Sequence, residues 1–225
     1  MALEIGLVRI AVITGGWTCP YVLCESFEGS ESGYDNTGWT EVESGGNTID
    51  PDDTTYKYNG SHGCSVNKSS GTAVEIRTYK SVSSSSTYGF YAKFLFHSGL
   101  TTNYETARIV LLAGGADTAG EFWVQRSGST YQLEYRTAGT RIGNQVEISV
   151  DTWYTIKCHG TASGTVYWYV GTADTGGTEQ SGTASSYSVT VVYLGDPGLT
   201  TDNFVFALDS ISFNNSDAYP TNQFS

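Results

Sequence analysis

Short strand-like runs recur at regular spacing along this sequence, and they restrict its fold more than any other feature. Gly- and Ser-rich segments lie between the runs, and in the run 131–137 apolar and polar residues alternate. A period of two is typical of a half-buried β-strand, and no run has helical periodicity. The sequence therefore predicts an all-β fold of two packed sheets. The predicted strands are 64–66, 73–79, 87–97, 107–113, 121–126, 131–137, 145–150, 153–160, 165–171, 188–194 and 204–213.

The alternation also predicts which side chains share one face of a strand. Val166, Trp168 and Val170 should lie on one face of their strand, with the intervening tyrosines on the other. In the run 131–137 the polar face, which includes Glu134, should contact water.

Length and composition indicate one globular domain. The 225 residues are 39% hydrophobic and 15% charged, which suits a single core and argues against disorder. We predict an N-terminal arm at 1–20, a sandwich at 21–214 and a polar tail at 215–225. The sequence has 11 basic and 23 acidic residues, and the resulting net charge of −12 disfavours nucleic acid and anionic membranes as partners.

The N-terminal arm contains an apolar run, 3–13, that Glu4 and Arg9 interrupt and that no basic segment precedes. It fits neither a signal peptide nor a membrane span. We expect the arm to form contacts within a larger assembly or a homo-oligomer, by adding a strand to a neighbour. The presence of Met1 favours cytoplasmic synthesis.

Four cysteines, Cys19, Cys24, Cys64 and Cys158, allow three pairings if all are bridged, and their spacing matches no zinc motif. In a reducing compartment we expect free or partly buried thiols.

Several local patterns, in their order along the chain, carry a resemblance to a known fold. They are ESFEG at 25–29 ahead of Gly38-Trp39, GSHGCSV at 60–66, TWYTIK at 152–157 ahead of GTVYWYVG at 164–171, and FALDSISF at 206–213. Over residues 24–213 the chain resembles the concanavalin-like superfamily of laminin-G-type lectin domains and laminarinase-like jelly rolls. The resemblance implies a two-sheet antiparallel jelly-roll sandwich. It leaves the function open, because this fold hosts lectins, glycosidases, lyases and scaffold domains.

The same resemblance implies one structural calcium ion. In laminarinase-like members an Asp of the closing strand supports the ion with backbone carbonyls of the opening segment and of a Gly-containing turn. Carried over, this gives Asp209 with carbonyls near Glu25 and in the turn from Gly60 to Gly63, an oxygen set that suits calcium. The alternative is that Asp209 only accepts hydrogen bonds at a strand end.

The sequence contains no catalytic motif of this fold, so we expect a protein that is not an enzyme. Laminarinase-like enzymes carry Glu-x-Asp-x-Glu on one strand, and the alginate-lyase branch carries Gln-x-His. Here Glu121 and Glu134 are single acids in their strands, and Gln125 is followed by Arg-Ser. An unrecognised site across adjacent strands would have to come from Arg108, Glu121, Tyr131, Glu134 and His97.

The leading hypothesis is a non-enzymatic structural and binding protein of a virion surface, such as a decoration or fibre-like subunit. The alternatives are a secreted or cell-surface carbohydrate-binding module and a glycan-degrading enzyme. Sugar binding uses aromatic rings with nearby amides and carboxylates. The candidates on one cleft-facing sheet are Trp123, Gln125, Gln132, Glu134, Arg136, Tyr167 and Tyr169.

Overall fold

The computed structural model describes residues 21–28, 38–69, 75–114, 117–198 and 202–221. The predicted arm and Cys19 lie outside these residues. All regular structure within the described ranges is β-strand. Among these residues no helix is long and apolar enough to cross a membrane.

The described residues form 15 strands in two antiparallel sheets, which confirms the predicted all-β jelly-roll sandwich. The eight-stranded sheet has the order β13-β12-β11-β6-β15-β4-β3, with β1 paired to β15, and the seven-stranded sheet has the order β10-β9-β8-β7-β14-β5-β2. The strands are β1 Leu23–Glu25, β2 Thr40–Glu43, β3 Thr48–Asp53, β4 Gly63–Lys68, β5 Ile76–Ser85, β6 Thr87–Gly99, β7 Thr106–Gly114, β8 Asp117–Ser127, β9 Thr130–Thr137, β10 Thr140–Ile148, β11 Trp153–Thr161, β12 Thr165–Gly171, β13 Thr178–Thr183, β14 Val189–Asp196 and β15 Phe204–Asn214.

The strands that the sequence did not predict are short or lie at sheet edges. The segment 39–53, which the predicted strands leave out, holds two edge strands, β2 and β3. Pro51 is compatible with β3 because this strand lies at a sheet edge, where a missing N–H group is tolerated. Strand β13 was not predicted, because its sequence TEQSGT has no apolar alternation and its pairing with β12 rests on backbone hydrogen bonds.

The inner faces of the two sheets form one core, as the alternation predicts. Val166, Trp168 and Val170 are buried in it. Beneath β8 and β9, the Tyr135 ring lies 4.9 Å from Phe122 and stacks on Trp168 with 6.4 Å between centroids. This aromatic cluster fixes the two strands that carry most of the predicted ligand-binding residues.

The cysteines correct one expectation and agree with another. Cys24 is disulfide-bonded, contrary to the expectation of free or partly buried thiols. Cys64 and Cys158 are free and buried. Burial raises the pKa of the Cys64 thiol well above its ordinary value and that of Cys158 to about 12, so both thiols are protonated at neutral pH.

Candidate functional site

The outer face of the seven-stranded sheet brings together five of the seven predicted ligand-binding residues. Trp123 of β8 lies opposite Glu134 of β9, and Gln125 lies opposite Gln132. Directly paired residues of antiparallel strands share one face, so these four side chains point away from the core together with Arg136. This group is the centre of the candidate site.

Two guanidinium groups lie over the Trp123 ring. Arg108 comes from β7 and Arg136 from β9, and their Cζ atoms are 4.6 and 4.7 Å from the ring centroid. A guanidinium group over an indole face is a favourable cation–π contact. The stack fixes the orientation of Trp123, and a ligand therefore meets the ring together with a charged group.

A buried ion pair supports this stack from below. Arg108 Nη2 lies 2.9 Å from Glu121 Oε2, and both side chains are almost fully buried. Burial raises the pKa of Glu121 and lowers the pKa of Arg108, because each charge has lost its water. Within the described part of the chain, Arg108 Nε and Nη1 are buried without a hydrogen-bond partner.

Glu134 joins three polar neighbours and is buried, so the prediction that it contacts water is wrong. Arg136 Nε donates to its Oε1 at 2.5 Å, and Gln145 Nε2 donates to its Oε2 at 3.0 Å. Arg141 Nη1 lies 3.8 Å from Oε2. Gln145 also donates to Gln125 Oε1 at 3.0 Å. The long side chains around Glu134 exclude water from it, a covering that alternation along one strand does not reveal.

Further along the same face lie two tyrosines and a third arginine. Tyr79 and Tyr193 are direct partners on β5 and β14, with ring centroids 5.6 Å apart. The Arg77 Cζ atom lies 4.7 Å from the Tyr193 ring centroid. Because Tyr193 pairs with Leu111 of β7, this cluster continues the surface that Trp123 begins. The spacing of β5, β8 and β14 along the sequence does not reveal that Tyr79, Tyr193 and Trp123 share one surface.

Tyr167 and Tyr169 do not lie with the other five candidates. They belong to β12 of the eight-stranded sheet, and so lie on the opposite side of the sandwich. The Tyr167 ring stacks on His159 with 4.9 Å between centroids, and the Tyr169 hydroxyl donates to the Ala173 carbonyl at 2.7 Å. The expectation of one shared sheet fails because alternation assigns a face within a strand but not the sheet to which the strand belongs.

The implied calcium ligands are only partly brought together. Asp209 and Gly60 line a pocket of about 200 Å³ with Ser26, Glu28, Asn59 and Ser210. Asp209 Oδ2 accepts hydrogen bonds from the backbone N–H groups of Tyr58 and Asn59, at 2.8 and 3.1 Å. Burial raises the pKa of Asp209 to about 6. A desolvated carboxylate beside a polar pocket fits a cation.

Glu25 and Gly63 fit that pocket less well. The Glu25 carboxylate accepts hydrogen bonds from Phe27 N and Trp39 Nε1, and Gly63 pairs with Asp53 in the sheet. Glu28, which sequence reasoning missed, supplies the second carboxylate of the pocket. No group of three or more His, Cys, Asp or Glu residues that could hold a metal occurs among the described residues. An ion here would depend on backbone and hydroxyl oxygens as well.

The unrecognised catalytic set is divided between the two sheets. Arg108, Glu121 and Glu134 share the outer face, but the Tyr131 side chain packs against the core, near Phe96. His97 lies on β6 of the other sheet, where its Nδ1 is 2.5 Å from Asp151. A proton-transfer site built from these five residues is therefore not assembled.

No family model and no curated protein matches this chain. Several solved structures, however, are similar to it. A cellulose-induced protein, Cip1, shares 16% identity at a TM-score of 0.63 over 88% of this chain and 100% of its own. A carbohydrate esterase of the Shiga toxin-encoding bacteriophage phi24B shares 16% at 0.57, over 87% of this chain and 98% of its own. The alginate lyase AlgAT5 of polysaccharide lyase family 7 shares 11% at 0.55, over 80% and 95%.

The chain has the concanavalin-like jelly-roll fold. At these identities the likeness extends to the fold and no further, because one sandwich carries many unrelated activities. The function of this jelly roll has to be argued from its own side chains.

Proposed function

We propose that this chain is a non-enzymatic glycan-binding protein and that the outer face of its seven-stranded sheet binds the glycan. The observation that carries the proposal is the environment of Trp123. Its ring is half-buried on the outer face, two guanidinium groups lie over it, and the amides of Gln125, Gln132 and Gln145 lie on the same face. Aromatic surface next to a few fixed polar groups is the usual composition of a sugar site.

The polar groups of this face are held in place before any ligand binds. Gln145 bridges Gln125 and Glu134, and Glu134 in turn holds Arg136. Fixed side chains lose little conformational freedom on binding, and this favours affinity for a flexible glycan. The structural neighbours include a carbohydrate esterase and an alginate lyase, which also supports a carbohydrate ligand.

A polysaccharide lyase using the same face is the second candidate. The observation that favours it is the pair Tyr79 and Tyr193 beside Arg77, because a lyase needs a cation near the sugar carboxylate and a proton-transfer group. No histidine of the described residues lies on this face. We favour binding because neither the Glu-x-Asp-x-Glu nor the Gln-x-His pattern occurs in the sequence.

A glycan array followed by analysis of the bound sugars separates the two candidates. The binding proposal expects retention of a defined set of oligosaccharides and their recovery intact after long incubation. New reducing ends or unsaturated sugar products, lost in Tyr193→Phe, would establish the lyase instead. An array with no retained sugar at millimolar concentration would contradict both.

We further propose that the protein is a surface subunit of a virion, which it joins through residues 1–20. The phage origin of one structural neighbour supports this placement, with extracellular secretion as the alternative. Light scattering of the full chain and of a chain beginning at Val22, both in reductant and checked by circular dichroism, tests the role of the arm. Assembly by the full chain alone is the expected result, and two folded monomers would contradict it.

We also propose that the pocket at Asp209 holds one calcium ion. Asp209 and Glu28 would supply carboxylate oxygens, and Gly60 and Ser26 line the same pocket. The ion would stabilise the ionised form of a carboxyl group that burial disfavours. Calorimetric titration with calcium should give one site, absent in Asp209→Asn, and the absence of any heat of binding would contradict it.

A further inference from the structure

Two arginines lie directly opposite each other at one end of the candidate site. Arg136 of β9 and Arg141 of β10 are register partners, so their side chains share the outer face. Like charges in directly opposed positions destabilise a pair of strands. One carboxylate, Glu134, is the acid close to both: it accepts a hydrogen bond from Arg136 and lies 3.8 Å from Arg141. The group of three therefore carries one positive charge in excess.

The charges of this group are arranged in layers. The Glu134 side chain is 1% exposed, whereas Arg136 is 26% and Arg141 49% exposed. The neighbouring pair Arg108–Glu121 is also buried and is neutral as a whole. At the end of the face formed by Arg136 and Arg141, a ligand would therefore meet guanidinium groups first, with Glu134 and Glu121 beneath them. Glu147 is on the same strand as Arg141, lies opposite Gln132 and is exposed.

This concentration of arginine contrasts with the rest of the chain. The sequence has a net charge of −12, yet four of its six arginines, Arg77, Arg108, Arg136 and Arg141, lie on the outer face of this one sheet. Guanidinium groups bind carboxylates and sulfates with paired hydrogen bonds, which a lysine cannot supply. Solubility alone does not account for this placement.

We infer that the glycan bound at this face is acidic and that Arg136 and Arg141 hold its anionic group beside Trp123. The inference rests on the proposed function and names its ligand class. The shared chemistry is a planar or tetrahedral oxyanion on a sugar ring, which either a uronic acid or a sulfate ester supplies. Arg141, the more exposed of the two, has hydrogen-bonding capacity left for it.

The test compares binding to a panel of oligosaccharides in three matched series: uronic-acid, sulfated and neutral. Arg141→Gln removes the exposed charge, and Arg141→Lys keeps the charge but loses the paired geometry. Lys57→Gln is the control, because it removes one exposed positive charge from a loop outside this sheet. Circular dichroism and the unfolding temperature confirm that all variants are folded.

The expected result is that the tightest ligands belong to one acidic series, and that series identifies the anion. Arg141→Gln should weaken their binding about 10-fold, Arg141→Lys less, and Lys57→Gln not measurably. Rising ionic strength should weaken binding to the wild type more than to Arg141→Gln. Tight binding of neutral sugars, unchanged in Arg141→Gln, would overturn this inference and leave the proposed function standing. Binding of none of the three series would overturn both.

Discussion

Replacing Arg108 by Met should destabilise the protein strongly, because it leaves the buried acid under Trp123 without a partner. The Arg108 and Glu121 side chains are 5% and 3% exposed, and Nη2 lies 2.9 Å from Oε2. Removing one member of such a pair costs about 3–5 kcal/mol. For a domain of this size we expect the unfolding temperature to fall by roughly 6–20 °C.

The loss should depend on pH. Burial already raises the pKa of Glu121 above its ordinary 4.5, and Arg108 opposes that rise. Without Arg108 the folded-state pKa rises further, so the variant loses stability as the pH increases above 4.5. Its deficit relative to the wild type should therefore be larger at neutral pH than near pH 4.5.

Urea unfolding followed by tryptophan fluorescence, at both pH values, measures this deficit. The double variant Arg108→Met/Glu121→Gln is the control, since it removes both charges and should recover much of the lost stability. A deficit for Arg108→Met below about 1 kcal/mol, or one that is equal at the two pH values, would refute the reasoning.

Three other predictions concern the rest of the molecule. In the absence of calcium, the difference in unfolding temperature between the wild type and Asp209→Asn should change with pH. The wild type should lose stability relative to the variant as the pH rises from 3.8 to about 6, because the folded-state pKa of Asp209 exceeds its ordinary value. Parallel curves of unfolding temperature against pH would contradict this. Gly89→Ala should release the C-terminal segment, because a Cβ atom would lie 2.0 Å from the Ala218 carbonyl oxygen; unchanged hydrogen exchange at 216–221 would contradict this. Cys64 and Cys158 should resist a thiol reagent until the protein is denatured, since both are buried and protonated at neutral pH; labelling in the native state would contradict it.

Much of the fold can be predicted from periodicity alone. The run 165–171 coincides with β12, and Val166, Trp168 and Val170, which were expected to share one face, are all buried. Burial on one face of a strand leaves a period of two in the sequence, so strands of this kind can be located. Strand β13 leaves no such trace, because it is polar on both faces and lies at a sheet edge.

The candidate site can be predicted only in part. Trp123, Gln125 and Glu134 could be nominated as outward-facing residues of two adjacent strands. The separation of Tyr167 from them depends on which sheet receives β12, and this is set by pairing over long sequence distances. The contact between Arg108 and Trp123 could not be predicted from the sequence either, because it crosses from β7 to β8.

The opposite side of the sandwich offers an internal control for the central claim. Tyr167 is also a half-buried aromatic residue, and its ring stacks on His159, whose Nδ1 lies 2.6 Å from Asp217 Oδ1. The two sheets therefore present two aromatic surfaces of different character: Trp123 lies beneath two guanidinium groups and beside Gln125, whereas Tyr167 stacks on a histidine that contacts an aspartate.

Isothermal titration calorimetry with the tightest-binding oligosaccharide, on the wild type and on Trp123→Ala, Trp123→Phe and Tyr167→Ala, tests the central claim most directly. The account predicts that Trp123→Ala loses affinity about 10-fold or more, that Trp123→Phe keeps part of it, and that Tyr167→Ala binds like the wild type. Wild-type affinity in a folded Trp123→Ala, or a loss confined to Tyr167→Ala, would contradict a glycan site on the outer face of the seven-stranded sheet.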